Sequence, residues 1–256
     1  MNKPSFQPLS FSGIIDTTFR IFSQEFKTLA LLSLLFNIPA LTLQLGARYL
    51  QEANQPGLLV ALSLVALICS IICSGLLTGA VIQVVSARYL GERVSFAGAL
   101  GRTMPILGKI IGTSILVGLW IFVGILCFII PGIIWMFTLA LTMPALVLEG
   151  IGSSEALARS KQLVKYNRGK VVGTIFGAGI LLFLMSAAMG ILWHVGLATV
   201  EIGSESITAM VGEQVIGYLL GPIYNVALVI LYYDVRIRHE GYDLELLSKE
   251  IEGPSL

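Results

Sequence analysis

Charge is what this sequence has least of. Only 12% of its 256 residues are Asp, Glu, Lys or Arg, while 56% are hydrophobic. Soluble domains carry about 25% charged residues, so this composition excludes an ordinary water-facing domain. The net charge of +1 names no acidic partner, nucleic acid included. Cysteine is scarce too, with three in all, which excludes a disulfide framework. Cys69 and Cys73 share a helix face, but no His or acid accompanies them in their apolar run, so neither a metal nor another cofactor is expected. HExxH, GxSxG, GxGD and P-loop lysine motifs are all missing. The chain is therefore not expected to be an enzyme.

What is there is hydrocarbon in long blocks. A membrane span needs about 20 apolar residues to cross about 30 Å. Six runs qualify or nearly so: Leu29 to Gly46, Gly57 to Ala87, Ile110 to Ile130, Gly132 to Leu148, Val171 to Val195 and Val215 to Tyr233. None holds Asp, Glu, Lys or Arg. Tyr and Cys aside, His194 is the one ionisable residue within them, and beside Trp193 it reads as a hydrogen-bonded packing residue. The second run is long enough to require a tilt, a kink near Gly75 and Gly79, or a projection beyond the bilayer. The third and fourth meet at "CFIIPGIIW", residues 127–135. Pro131-Gly132 signals a turn, read as a tight hairpin just reaching the far interface, with a re-entrant pair as the alternative.

The cations set the orientation. With the N-terminal side of the first run taken as inside, 15 of the 16 Lys and Arg residues fall inside, and Arg48 alone falls outside. By the positive-inside rule both ends of the chain are cytoplasmic. The opening "MNKPSFQPLS" lacks an apolar signal core, so the first run is expected to serve as an uncleaved signal.

Between the runs lies a repeat. "LSFSGII" at 9–15 parallels "VSFAGAL" at 94–100, "ALGR" at 99–102 parallels "ALAR" at 156–159, and "GKIIGT" at 108–113 parallels "GKVVGT" at 169–174. The fold expected is all-α: one membrane domain of six spans in three hairpin repeats, about 8–87, 94–150 and 152–234, each led by an amphipathic helix at the cytoplasmic face. Residues 235–256 form a cytoplasmic tail. In the first leading helix, Phe11, Ile15, Phe19, Phe22 and Phe26 make the apolar stripe against Asp16, Arg20, Ser23 and Lys27. In the third, Ala156, Leu157, Leu163 and Val164 oppose Glu155, Arg159, Gln162 and Lys165, with Ser153 as cap. Arg20, Arg102, Arg159, Lys161, Lys165, Arg168 and Lys170 are the expected contacts to anionic lipid headgroups or to a partner protein.

A second polar group closes the sixth run. In "YYDVRIRHEG", residues 232–241, Asp234 and Arg238 are spaced to pair along a helix. Tyr233 is placed to set depth in an aromatic belt. Arg236 lies on a different face, toward lipid phosphate, a helix C-terminus or another loop, and one of the two arginines is expected to reach a cytoplasmic helix end or Glu149. Glu149, Tyr233, Asp234, Arg236 and Arg238 are thus read as a structural cluster.

The stretches "PLSFSGIIDTTFRIF", "IIPGIIWMFTLALTMPALVLEGIGSSEALARSKQLVK" and "ILYYDVRIRHEGYDL" together resemble the glycerophosphoryl diester phosphodiesterase membrane-domain family and bacterial inner-membrane proteins of the YciC type. The resemblance implies a multi-pass protein of the bacterial cytoplasmic membrane. The family takes its name from members fused to a soluble phosphodiesterase barrel. No residues here are left over for one, so the resemblance carries topology rather than chemistry. The expected role is that of an accessory, scaffold or partner subunit, with a transporter or lipid-handling protein as the alternative.

Overall fold

The computed structural model describes residues 8–203 and 206–240. Among them all regular structure is helical: α1 (Phe11–Gln24), α2 (Phe26–Glu52), α3 (Pro56–Tyr89), α4 (Phe96–Thr103), α5 (Leu107–Cys127), α6 (Ile129–Thr138), α7 (Thr142–Glu149), α8 (Ser153–Lys165), α9 (Arg168–Thr199), α10 (Ile207–Leu220) and α11 (Pro222–Glu240). Six helical stretches are long and apolar enough to cross a membrane: Phe26–Glu52, Pro56–Tyr89, Phe96–Cys127, Ile129–Glu149, Arg168–Thr199 and Ile207–Glu240.

The short helices before the odd-numbered stretches start on local caps. The Ser10 and Ser95 hydroxyls accept from the N–H groups of Gly13 and Gly98, each at 3.1 Å, satisfying donors that a helix start leaves open. At α8 the cap is Gly152, whose N–H donates to the Glu155 carboxylate at 3.1 Å. Ser153, expected as the cap, is instead the first helical residue, and its hydroxyl accepts from Thr113 of α5 at 2.8 Å. A single residue, Glu25, parts α1 from α2, and a 3₁₀ turn over Met104–Ile106 joins α4 to α5.

The buried faces follow the expected stripe in α8, where Ala156, Leu157, Leu163 and Val164 are all buried. In α1 the face is turned. Ile14, Thr17, Thr18, Ile21 and Phe22 are buried, while Phe11 and Phe26 stay exposed. Threonine can face the core because its hydroxyl folds back on its own helix, as Thr18 does on the Ile14 carbonyl at 2.8 Å.

Two long stretches are broken. Gly221-Pro222 parts α10 from α11, since proline removes a helical N–H. Leu139–Leu141 part α6 from α7, and the buried Ser160 of α8 bridges the break. Its hydroxyl donates to the Thr138 carbonyl at 2.7 Å and accepts from the Leu141 N–H at 3.2 Å. The long second stretch is one unbroken helix, α3. Gly75 and Gly79 do not kink it. They let α5 and the end of α4 approach: a β-carbon on Gly79 would collide with Thr103 and sit 2.8 Å from Ile110.

The core sits at one end of the bundle. It holds Leu29 and Leu32 of α2, Ala80–Val85 of α3, Ile110 of α5, Leu141–Val147, Val171 of α9 and nearly all of α11. Helix α11 is buried over most of its length, from Pro222 to Ile237, and opens to the surface only at Arg238–Glu240. Toward the opposite end, large apolar side chains lie open: Leu58, Leu64 and Ile68 on α3, Phe183, Leu184 and Leu192 on α9. Such surface suits hydrocarbon and not water.

Candidate functional site

The charged residues at the packed end gather around the last two turns of α11 in two circuits. The first centres on Asp234, which is fully buried. Its carboxylate accepts from the Leu9 N–H at 2.7 Å and from Arg238 Nε at 3.1 Å, and lies 2.5 Å from the Lys170 ammonium of α9. Lys170 and Arg238 also donate to the Leu9 carbonyl, at 2.5 and 2.7 Å. One residue ahead of α1, Leu9, is therefore gripped at both its N–H and its carbonyl by the start of α9 and the end of α11.

The second circuit centres on Glu149, the last residue of α7. Tyr232 donates to it at 2.6 Å, and Arg159 Nε reaches both its oxygens at 2.9 and 3.0 Å. Arg159 extends to Glu240 at 2.5 Å, Glu240 to Arg236 Nε at 3.1 Å, and Arg236 back to the Tyr232 hydroxyl at 3.3 Å. Two acids and two arginines alternate around the ring, so no charge in it lacks an opposite neighbour. The hydrogen bond to Glu240, set against partial burial, raises the Arg159 pKa further above its ordinary range.

Between the circuits, the Tyr233 hydroxyl shares a hydrogen bond with Ser86 at 2.7 Å and its ring stacks on Tyr89 at 5.0 Å. On the α1 side, Arg88 pairs with Glu25 at 3.4 Å and donates to Gln24. Together these bonds join α1, α2, α3, α7, α8, α9 and α11 in one polar layer.

The structure brings the expected cluster together with two changes of partner. Asp234 and Arg238 do pair. Glu149, however, is held mainly by Arg159, while Arg236 Nε stands 4.0 Å away and turns to Glu240. Tyr233 lies in the core, 3% exposed, because its hydroxyl has a buried partner in Ser86. Of the cations expected at lipid headgroups, Arg159 and Lys170 are engaged inside the protein. Arg20, Arg102, Lys161, Lys165 and Arg168 lie exposed on α1, α4, α8 and the start of α9. Lys161 sits over the Trp120 ring at 5.4 Å, and Lys165 over Tyr166 at 5.3 Å. Leu9, Glu240 and Ser86 were not anticipated. Glu240 stands four residues beyond Arg236, a spacing that marks a helical pair. The Leu9 contact uses only backbone atoms and leaves no trace in residue type.

Away from the layer, His194 bonds Glu213 at 2.6 Å between α9 and α10. Gly177 lies against Phe11, whereas Gly108, Gly112 and Gly173 meet nothing within 4 Å, so the last three serve no close helix approach among the described residues. A groove of about 280 Å³ runs between α6 and α9, lined by Met136, Phe137, Ile175, Phe176, Gly179, Ile180 and Phe183. Among the described residues no three His, Cys, Asp or Glu side chains are grouped to hold a metal ion. No family model matches the chain, and no solved structure matches it.

Proposed function

We propose that this chain is a non-enzymatic integral membrane protein, an accessory, scaffold or partner subunit of the bacterial cytoplasmic membrane, with both termini cytoplasmic. The observation that carries the reading is the polar layer. Its carboxylates and cations are spent on one another and on the chain's own backbone, which is what a fixed platform needs and leaves little for proton transfer or solute coordination. The groove between α6 and α9 supports the same side, since every residue lining it is apolar. It suits a lipid tail or a partner's apolar helix better than a polar solute.

The layer lies at the cytoplasmic headgroup level, because 15 of 16 cationic side chains then fall on that side. The exposed Arg20, Arg102, Lys161, Lys165 and Arg168 meet anionic lipid there, at about 1 kcal/mol each. Kinship with the phosphodiesterase membrane-domain family is part of this proposal and rests on the three stretches that resemble it. So is the arrangement as three repeats, which the caps at Ser10, Ser95 and Gly152, opening the short helices α1, α4 and α8, support.

The test fills the groove. Gly179→Phe adds a ring where a β-carbon meets nothing within 4 Å. Purified in mild detergent, the variant should match the parent in yield while losing a protein that co-purifies with the parent. Lipid scrambling or solute flux by the purified chain in vesicles would overturn the scaffold reading.

A further inference from the structure

The middle hairpin, α5 with α6, is built to a different depth from its neighbours. Several helices start from the polar layer. Glu25, just ahead of α2, meets Arg88 of α3, Lys170 in the first turn of α9 meets Asp234, and Glu149 at the end of α7 meets Tyr232. From that level α2 runs 27 residues and α9 runs 32, whereas Ile129–Glu149 runs 21. At about 1.5 Å per residue these arms reach about 40, 48 and 31 Å. The middle hairpin therefore stops about 10 Å or more before the others.

Its tip is made for the place where it stops. The α2–α3 turn carries Gln51, Glu52, Asn54 and Gln55, with Arg48 paired to Glu52 at 3.3 Å. The α9–α10 end carries Glu201 and the His194–Glu213 pair. From Gly118 to Phe137 the middle hairpin has no charged and no hydroxyl side chain. Leu126, Phe128, Ile129 and Ile130 are each between 68% and 75% exposed. Water would be a poor neighbour for four such side chains in a row, and hydrocarbon a good one.

The backbone tells the same story. Irregular backbone inside hydrocarbon must satisfy its own polar groups. Only Phe128 separates α5 from α6, and its N–H donates to the Gly124 carbonyl at 3.0 Å. Pro131, third in α6, has no N–H to leave open. Gly124 and Gly132 let the arms close: a β-carbon on Gly124 would sit 2.8 Å from the Gly132 α-carbon.

We propose that the α5–α6 hairpin enters the bilayer from the side of the polar layer and ends among the acyl chains of the opposite leaflet, without reaching the water beyond. The inference rests on the membrane reading above, with the polar layer at one headgroup level. The partner of the tip is lipid acyl chain, and the pair is a wedge rather than a crossing.

Cys127, exposed at the tip, is a native probe. Gln51→Cys and Glu92→Cys, both at exposed positions, supply reference thiols at the two aqueous faces. Each variant is treated in intact cells and in inverted vesicles with a membrane-impermeant maleimide, and each thiol is followed by peptide mass. Gln51→Cys should label from one side and Glu92→Cys from the other. Cys127 should label more than tenfold more slowly than either from both sides, and fully after denaturation in detergent. In vesicles of phosphatidylethanolamine and phosphatidylglycerol, a diazirine at the acyl-chain end should mark residues 126–130 more than one on the headgroup. Labelling of Cys127 within threefold of Gln51→Cys from the same side, or stronger marking by the headgroup probe, would overturn the wedge. If Gln51→Cys and Glu92→Cys label from one side, the membrane reading beneath it falls instead.

Discussion

The Lys170 ammonium lies 2.5 Å from the Asp234 carboxylate, and both side chains hold the backbone of the same residue, Leu9. This pair is the most deeply placed charge contact of the polar layer. Removing one partner of a buried pair strands the other and costs about 3–5 kcal/mol. Asp234→Asn should therefore lower detergent melting temperature and yield sharply. The double variant Lys170→Met, Asp234→Leu should be less damaged than either single change. Equal damage in all three would show that the pair is not the source of the effect.

The two tyrosines of "YYD" should separate by partner. Tyr232 donates to a carboxylate and Tyr233 shares its hydrogen bond with a hydroxyl. Hydrogen bonds to charged groups contribute about 1.5–3 kcal/mol and neutral ones about 1 kcal/mol. Tyr232→Phe should thus destabilise the protein more than Tyr233→Phe in thermal melts of the detergent-solubilised chain. The reverse order would mean that Glu149 is adequately held by Arg159 alone.

Arg236→Ala opens the Glu149–Arg159–Glu240 ring at its most replaceable corner. Arg159 keeps both of its carboxylate partners, so the loss should be about 1 kcal/mol or less, seen as a modest fall in melting temperature. A variant that accumulates and melts normally, yet loses bound lipid or a partner, would move Arg236 from a structural to a functional role.

Glycines of the same spacing should differ in tolerance. Gly79→Ala and Gly132→Ala press a methyl into Thr103 and Ile125 respectively, and overpacking costs about 1–3 kcal/mol. Gly108→Ala and Gly112→Ala meet nothing within 4 Å and should leave melting and yield nearly unchanged. If Gly112→Ala proves severe, that face packs against something outside the chain, and crosslinking from Gly112→Cys would reveal it.

Reporter fusions at Asn54 should read as external and those at Gly91 as cytoplasmic, since the two turns lie at opposite ends of α3. A cytoplasmic reading at Asn54 would reverse the proposed orientation.

Much of the architecture was legible because the bilayer imposes one strong rule: backbone in hydrocarbon must be helical. Run length therefore located the six apolar stretches, although the helices run past the charge-free runs, as Phe26–Glu52 does past Leu29 to Gly46. The pairing of Asp234 with Arg238 was legible as well, because helical spacing alone sets it. Contacts between distant segments were not. In α8 the face packed inside the protein is the apolar stripe itself, whereas in α1 that face includes Thr17 and Thr18, which look polar in sequence and act as packing groups. Arg159 and Lys170 have the composition of headgroup contacts, and only the fold shows that Glu149 and Asp234 claim them. Residues 241–256, read as part of a tail, lie outside the described residues.

The grip on Leu9 has a consequence for how the protein is made. Leu9 and Asp234 are 225 residues apart, so the segment ahead of α1 waits for α11. Until α11 arrives, Lys170 has no carboxylate and the Leu9 amide has no acceptor. A chain halted before Asp234 could form its earlier helices, yet the polar layer would stay unlatched at Leu9. The latch on Leu9 therefore forms only after α11 has been made.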